Sequence, residues 1–99
     1  MGQTPELTVD ALVCASDRQV SSDLTGETVL LSLDTARYFG LPGVGARIWH
    51  LLQAPVQISE VCSVIADEYE VDPRQCEADT LGFLRQLLAK GLIEVRIAG

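Results

Sequence analysis

The stretch "ARYFGLPGVGARIW" (residues 36–49) contains the point at which apolar spacing changes from that of a strand to that of a helix. In its first part, Phe39 and Leu41 are two residues apart, as on one face of a β-strand. After the glycines of "GLPGVG", Val44 and Ile48 are four residues apart, as on one face of an α-helix. The glycines fit a sharp turn, so the sequence predicts strands before this point and helices after it.

Three segments up to this turn resemble strands. They are "ALVCAS" (11–16), "TVLLSLD" (28–34) and "ARYFGL" (36–41). Alternation in the second segment places Val29, Leu31 and Leu33 on one face. A turn is expected in the polar segment before it, around "LTGE" (24–27). Short strands joined by brief turns predict a three-stranded antiparallel meander.

Three segments after the turn have helical spacing. They are "VGARIWHLLQA" (44–54), "ISEVCSVIADEY" (58–69) and the segment from "VDPRQ" (71–75) to Gly91. Their apolar faces supply the predicted core, which consists of Ile48, Trp49, Leu52, Val61, Ile65, Leu81, Leu84 and Leu88. The segment "LIEVRIA" (92–98) alternates and predicts one last strand. The predicted fold class is α+β, a three-stranded antiparallel sheet followed by three helices, in a single domain over residues 1–99 with its core at about 11–97.

The helix ends carry recognisable signals. Pro55 is expected to end the first helix, and Ser59 is expected to be the N-cap of the second. The third helix has the fullest set of signals: Asp72 as N-cap, Pro73 at the first position, Gln75 in a capping box and Gly91 as C-terminal cap.

The third helix has more apolar surface than one face requires. The stripe assigned to the core consists of Leu81, Leu84 and Leu88. A second stripe, about a quarter of the circumference away at roughly 100° per residue, consists of Cys76, Thr80, Phe83 and Leu87. A surface helix of a small domain needs only one apolar face to contact the core. The second stripe is therefore expected to be exposed on the domain and to contact another segment or another molecule.

Two occupants of the second stripe remain open from the residues alone. If "ARYFGL" is an edge strand beside the third helix, an extended peptide can add to it as a further strand. Arg37 is the only residue of this segment of a type that disfavours pairing of an edge with another strand. Alternatively, the N-terminal residues or the "LIEVRIA" segment of the same chain cover the stripe.

Composition and charge exclude several classes of function. The net charge of −7 and the pI near 4.4 argue against a nucleic-acid partner, because phosphate binding requires clustered basic residues. The N-terminus "MGQTPELTVD" (1–10) is not a signal peptide, and no apolar run is long enough to cross a bilayer. The expected location is the cytoplasm, without a membrane partner.

Residues suited to catalysis or metal binding are sparse. The three cysteines, Cys14, Cys62 and Cys76, have no CxxC spacing, so they predict buried thiols and neither a disulfide framework nor a zinc site. The one histidine, His50, has no metal-ligating residue one helical turn away. We therefore predict a non-enzyme with no catalytic residue, no metal and no other cofactor.

Three helices followed by a strand also suggest a winged helix-turn-helix regulator that binds DNA. The helix that would contact the DNA bases is the third. It has three basic residues and two acidic ones, namely Arg74, Arg85 and Lys90, and Glu77 and Asp79. Reading base edges requires polar side chains on a surface that attracts phosphate, and the apolar second stripe is not such a surface. DNA binding is kept as the weaker alternative.

Two runs resemble a known family. They are "LSLDTARYFGLPGVGARIWHLL" (31–52) and "ISEVCSVIADEYEVDPRQCEADTLGFLRQLLAKGLIEV" (58–95), and they are similar to the PqqD-like family, the RiPP recognition elements. The motifs that carry the resemblance are the aromatic pair before Gly-Leu (38–41), "VGARIW" (44–49), the spaced Asp79 and Phe83-Leu84, and the closing "KGLIEV" (90–95). Pro42-Gly43 stands where members often have Asn-Glu. The Tyr-Pro-Glu-Gly stretch common in PqqD itself is missing, so the chain looks most like the stand-alone leader-binding proteins of lasso-peptide biosynthesis.

The resemblance implies a non-catalytic protein that holds the leader segment of a ribosomally made precursor peptide. The leader is expected as an extra strand on the third strand, against the third helix, and its usual anchors are a Tyr, a Pro and a Leu. Expected partners are the precursor, a leader peptidase and an ATP-dependent macrolactam cyclase. Together with the groove argument, this predicts the leader-binding residues Arg37, Tyr38, Phe39, Gly40, Cys76, Asp79, Thr80, Phe83 and Leu87.

Several alternatives remain open beside this prediction. Asp79 is expected either to bind a leader tyrosine or basic residue, or to be an ordinary solvated acid in the first turns of its helix. A PqqD-type peptide carrier in quinone-cofactor synthesis is the alternative pathway. The protein is expected to be a monomer or a weak dimer, since a free strand edge also permits self-pairing.

Overall fold

The computed structural model describes residues 7–25 and 27–96, without the side chain of Pro42. The strands are β1 (Leu12–Ala15), β2 (Gln19–Leu24), β3 (Glu27–Ser32), β4 (Tyr38–Pro42), β5 (Val56–Gln57) and β6 (Ile93–Arg96). The helices are α1 (Val44–Leu51), α2 (Ile58–Tyr69) and α3 (Pro73–Ala89). The α+β class and the three helices agree with the prediction. None of the helices described is long and apolar enough to cross a membrane.

The strands β2, β3 and β4 form an antiparallel meander in that order. The β2–β3 turn lies where it was predicted, since Leu24 pairs with Glu27. On β3 the buried side chains are Thr28, Leu30 and Ser32. The face predicted from Val29, Leu31 and Leu33 is therefore the outer face of the sheet.

A second antiparallel sheet has the order β5-β1-β6. The prediction of one meander that includes residues 11–16 is wrong in this respect, because β1 pairs with β6, with Val13 opposite Val95. Two strands were missed: β5, which has only two residues, and β2, whose residues "QVSSDL" are almost all exposed. Such a strand has no apolar alternation to mark it, and backbone pairing with β3 holds it in place. The last predicted strand exists as β6 and joins this second sheet; residues 97 and 98 of "LIEVRIA" lie outside the described ranges.

Asp72, Pro73 and Gly91 take their predicted positions at the ends of α3. The Asp72 side chain accepts hydrogen bonds from the N–H groups of Arg74 and Gln75, and a proline occupies the first helical position. At the other end Gly91 has φ of 72°, and its N–H and that of Leu92 each donate to a carbonyl of the last turns at 3.0 Å. This is a Schellman motif, in which glycine takes the left-handed position without steric cost.

Three other end predictions are wrong. α1 ends at Leu51 instead of residue 54, ahead of Pro55. The N-cap of α2 is Gln57, without a side-chain hydrogen bond, instead of Ser59. Gln75 does not close a capping box, because its side-chain oxygen accepts no hydrogen bond from the N–H of Asp72 within the described residues; its NH2 group donates to Asp79 at 2.9 Å.

The core lies between the helices and the two sheets. Of the predicted core residues, Ile48, Trp49, Leu52, Val61, Ile65 and Leu84 are buried, and Leu81 and Leu88 are half-buried against them. The three cysteines are free and buried, as predicted. Leu30 and Leu41 from the meander and Val13 and Ile93 from the second sheet complete the same cluster, so one core supports both sheets.

Candidate functional site

β4 is an edge strand of the meander, since within the described residues it pairs only with β3. The N–H of Ser32 donates to the carbonyl of Arg37 at 2.9 Å. In an antiparallel pair, residues that exchange hydrogen bonds alternate with residues that do not. By this alternation the backbone groups of Tyr38 and Gly40 face the free edge, whereas the Arg37 carbonyl is taken by β3. The predicted edge exists, but Arg37 is not part of its free backbone.

The side chains of β4 alternate as the sequence predicted. Leu41 is buried and Phe39 is half-buried, whereas Tyr38 is 72% exposed and Gly40 lies on the same outer side. The ammonium group of Lys90 lies 5.7 Å from the centre of the Phe39 ring, which is within the range of a cation–π contact. The inner side of the edge is therefore apolar, with one cation at its margin.

A groove runs between β4 and α3. Its part beside the strand is a cavity of about 580 Å³. The cavity is lined by Tyr38, Phe39, Gly40 and Leu41 on the strand side and by Phe83, Leu87 and Lys90 on the helix side.

A second cavity of about 380 Å³ continues the groove between α1, the end of α2 and the first half of α3. Its lining is mostly apolar and includes Val44, Ile48, Ile65, Tyr69, Val71, Cys76 and Thr80. Gly45 and Phe83 line both cavities. The Cζ atom of Phe83 lies 3.5 Å from the position that a Cβ would take at Gly45. The Phe83 ring therefore separates two adjoining cavities.

The second stripe of α3 is largely covered by the chain itself. Cys76 is 5% exposed, and Thr80 and Leu87 are each 3% exposed, so the expectation of an open four-residue wall is wrong. α2 covers one end, since the Cys76 thiol lies 3.6 Å from the carbonyl oxygen of Cys62. Phe83 is the stripe's half-exposed member. The other three form the floors of the cavities instead of a wall.

Asp79 is exposed and lies on the rim of the second cavity. Its Oδ1 atom accepts a hydrogen bond from the side-chain amide of Gln75 at 2.9 Å. Its second oxygen leaves acceptor capacity at the rim for a hydroxyl or a cation.

The sequence did not predict the far wall of the second cavity. Val44, Tyr69 and Val71 line it and are 38%, 43% and 45% exposed. A signal was present, because all three are apolar, lie at the ends of helical segments and are not among the predicted core residues. Their convergence depends on how α1, α2 and α3 pack, which spacing along the chain does not reveal.

Two polar contacts link α1 to neighbouring elements beside the groove. Arg47 donates to both carboxylate oxygens of Glu68 on α2, at 2.9 and 2.7 Å, and this interaction lowers the pKa of Glu68 and raises that of Arg47. His50 lies 3.0 Å from Asp23 on β2. The hydrogen bonds from His50 and Thr28 lower the pKa of Asp23.

The groove presents the free backbone groups of an edge strand beside apolar cavities. Over 7–25 and 27–96, no three His, Cys, Asp or Glu side chains cluster as a metal site would require. Burial raises the pKa of the Cys62 thiol and so favours its unreactive protonated form. Free strand groups beside apolar cavities are the contacts that strand addition uses. The class defined by fold and site is an α+β domain with an open sheet edge along an apolar groove.

A match to a family model shows the family to which the chain belongs. The model of the family described as "Coenzyme PQQ synthesis protein D (PqqD)" matches residues 27–93, and the chain therefore belongs to the PqqD family. No curated protein matches the chain.

Two solved structures are similar over most of the chain. TbiB1, solved in complex with the TbiA(beta) leader peptide, is 43% identical with a TM-score of 0.77; the match covers 87% of this chain and 99% of that one. The PqqD truncation of Methylobacterium extorquens PqqCD, a stand-alone RiPP recognition element solved by NMR, is 24% identical with a TM-score of 0.65. That match covers 84% of this chain and 88% of the other. The fold is thus that of a RiPP recognition element.

Proposed function

We propose that the chain is a non-catalytic recognition protein that binds the leader segment of a ribosomally made lasso precursor peptide. The single observation that carries the proposal is the free edge of β4 directly beside the apolar cavities at α3. TbiB1, 43% identical to this chain, was solved with a leader peptide bound, which supports the assignment of a leader as the ligand.

The leader adds to β4 as a further strand. Tyr38 and Gly40 each offer an N–H and a carbonyl to it, whereas Pro42 has no N–H and ends the row of donors. The pairing therefore centres on two residues of β4. Each hydrogen bond contributes about 0.5–1.5 kcal/mol net, so affinity also needs buried side chains.

Alternate side chains of the leader point into the groove. The cavity beside Phe39 and the cavity beside Val44 each accept an apolar anchor, such as the Leu, Pro or Tyr typical of lasso leaders. Complete burial of a large apolar side chain is worth about 1.5–3 kcal/mol. In this proposal Phe83 contacts anchors on both sides, while Cys76, Thr80 and Leu87 form the cavity floors.

Asp79 binds a polar group of the leader at the rim of the second cavity. It accepts a hydrogen bond from a leader tyrosine hydroxyl or pairs with a basic residue. The Gln75 amide already holds one of its oxygens, which fixes the direction of the carboxylate.

The bound leader is presented to other proteins of the same pathway. In the lasso branch these are a leader peptidase and an ATP-dependent macrolactam cyclase, and the recognition protein itself uses no cofactor. We place this step in the cytoplasm, where the ribosomal precursor is made.

Titration of fluorescein-labelled leader peptide, followed by anisotropy, tests the proposal. The probe is the TbiA(beta) leader, the peptide bound in the TbiB1 structure. Phe83→Ala should weaken binding by about tenfold or more, equivalent to about 1.4 kcal/mol. Leu81→Ala is the matched control, because Leu81 is also half-buried on α3 but lines neither cavity.

Each outcome of this titration is informative. Saturable binding that Phe83→Ala weakens and Leu81→Ala leaves unchanged supports the groove. Equal binding by wild type and Phe83→Ala, both folded by circular dichroism, would place the leader elsewhere. N-methylation of single leader amides should abolish binding at alternate positions, because only alternate residues donate to β4. Absence of binding by the TbiA(beta) leader would remove the lasso assignment.

A PqqD-type carrier in quinone-cofactor synthesis is the second candidate, since the matching family model describes such a protein. The missing Tyr-Pro-Glu-Gly stretch favours the lasso branch. The same titration with the peptide precursor of the quinone cofactor separates the two, because tighter binding of that precursor would select the second candidate.

A further inference from the structure

We infer that Glu27 and Gly40 form a notch that selects a basic residue on the outward side of the bound peptide. The inference rests on the proposed addition of the leader to β4. It concerns the face of the peptide that points away from the groove, where none of the apolar cavities can contribute to specificity.

Gly40 is not required by the backbone of β4. Among the described glycines, those with positive φ are Gly43 and Gly91, so Gly40 has a conformation that other residues also adopt. Glycine weakens a strand and often marks a place where another chain approaches closely. On an edge strand, its absent side chain leaves an open space between Tyr38 and the end of the strand.

The carboxylate of Glu27 lies beside this space. Its Oε2 atom is 3.7 Å from the position that a Cβ would take at Gly40. The register explains this contact: Glu27 is opposite Pro42 and Val29 is opposite Gly40, so Glu27 is the diagonal neighbour of Gly40. A carboxylate from β3 thus reaches over β4 toward the free edge.

Glu27 is half-buried, and no Lys, Arg or His of residues 7–25 and 27–96 forms an ion pair with it. A carboxylate partly removed from water interacts more strongly with a nearby cation than a fully exposed one does. Lys90, a basic side chain that lines the groove, lies over Phe39 on the inner side of the strand. The notch therefore offers an anionic site without a cation of its own.

A peptide on the free edge brings a side chain to this site. The residue opposite Gly40 points to the same outer face, on a strand about 4.8 Å away. The stem of a lysine or arginine spans that distance. Tyr38 is on the same outer face two residues earlier and is 72% exposed, so its ring can cover the apolar stem while the charged end reaches Glu27.

A charge scan of the leader tests the inference. Each position of a leader that binds in the titration above is changed in turn to Lys and to Glu, and each peptide is titrated against the wild type. At one position Lys should bind about tenfold more tightly than Glu, beyond the general preference for Lys expected of an acidic protein. That preference should shrink to the general level in Glu27→Gln and reverse in Glu27→Lys.

Two further variants separate the notch from overall charge. Asp17→Asn removes one exposed negative charge from the turn between β1 and β2, and should leave the positional preference intact. Gly40→Ala fills the notch without a positive φ to strain it and without a close contact, and should reduce the preference in a folded protein.

The outcomes distinguish this inference from the proposed function. If the unsubstituted leader binds but no position shows a preference that depends on Glu27, the notch is not a specificity site and the leader-binding function stands. If Glu27→Gln and Asp17→Asn reduce the preference equally, overall charge is the cause and the inference is overturned. If the unsubstituted leader does not bind at all, both are overturned.

Discussion

Asp72 caps the start of α3 by hydrogen bonds to residues that are close to it in the sequence. Its carboxylate accepts from the N–H groups of Arg74 and Gln75, at 2.8 and 3.3 Å. Gly91 ends the same helix by an equally local motif. Such ends are predictable from sequence because every participating atom lies within a few residues of the signal.

Replacement of Asp72 by alanine should lower the free energy of unfolding by about 1 kcal/mol, because two N–H groups lose their acceptor. Asp72→Asn should retain most of the stability, since its side-chain oxygen can accept the same bonds. Urea unfolding followed by circular dichroism measures both. Asp67→Ala, which removes an exposed acid inside α2, is the control. An Asp72→Ala protein as stable as the wild type would contradict the capping role.

Ser59 was predicted as a cap by the same logic, and the prediction was wrong for a reason that lies elsewhere in the chain. The N–H groups of Ile58 and Ser59 donate to the carbonyls of Ala11 and Val9, at 3.0 and 2.8 Å. Backbone from the N-terminal segment thus satisfies the first turn of α2. A local pattern cannot reveal an acceptor that comes from a segment so far away in the sequence.

At the level of elements, α3 is the structure on which the groove depends. Periodicity correctly placed Phe83 and Leu84 on different stripes, and Leu84 is fully buried. It did not reveal that Cys76 and Leu87 are buried, with α2 covering Cys76. Spacing tells which residues share a helix face, whereas the covered width of that face depends on how neighbouring elements pack.

The middle of α3 contains Gly82, where alanine should be stabilising. Among the described residues, nothing beyond its own helix backbone and chain neighbours lies within 4 Å of the position of a Cβ at Gly82. Gly82→Ala should therefore raise the free energy of unfolding by about 0.5–1 kcal/mol, because glycine loses more conformational freedom on folding.

Gly91→Ala is the matched comparison for this change. With φ of 72° at Gly91, alanine is strained in the left-handed conformation and should destabilise the protein. Thermal unfolding of the two variants should move the midpoint in opposite directions. Shifts of the same sign would contradict the assignment of their backbone roles.

For the whole molecule, the sequence predicted the class and the order of the main elements but not the division into two sheets. The edge strand β4 and its junction with α1 follow from local spacing and from the glycines. The partners of β1 do not, because Leu12 pairs with Arg96 and Val13 with Val56, residues that are far apart in the sequence. The second cavity was not predicted for the same reason, because its lining residues come from three helical segments that are brought together only by packing.

The two sheets therefore differ in how much chain must be ordered before they can form. The meander closes through short turns, whereas β1 reaches β6 only after the intervening elements have packed, and closing a longer loop costs more entropy. We expect folding to begin in the meander and helices, with the β1–β6 pairing formed after the rate-limiting step. Leu30→Ala on β3 should then slow folding, and Val13→Ala on β1 should mainly speed unfolding. Stopped-flow kinetics would contradict this order if the two buried residues gave equal φ-values. On this account the sheet edge that we propose receives the peptide belongs to the part of the chain that becomes ordered early.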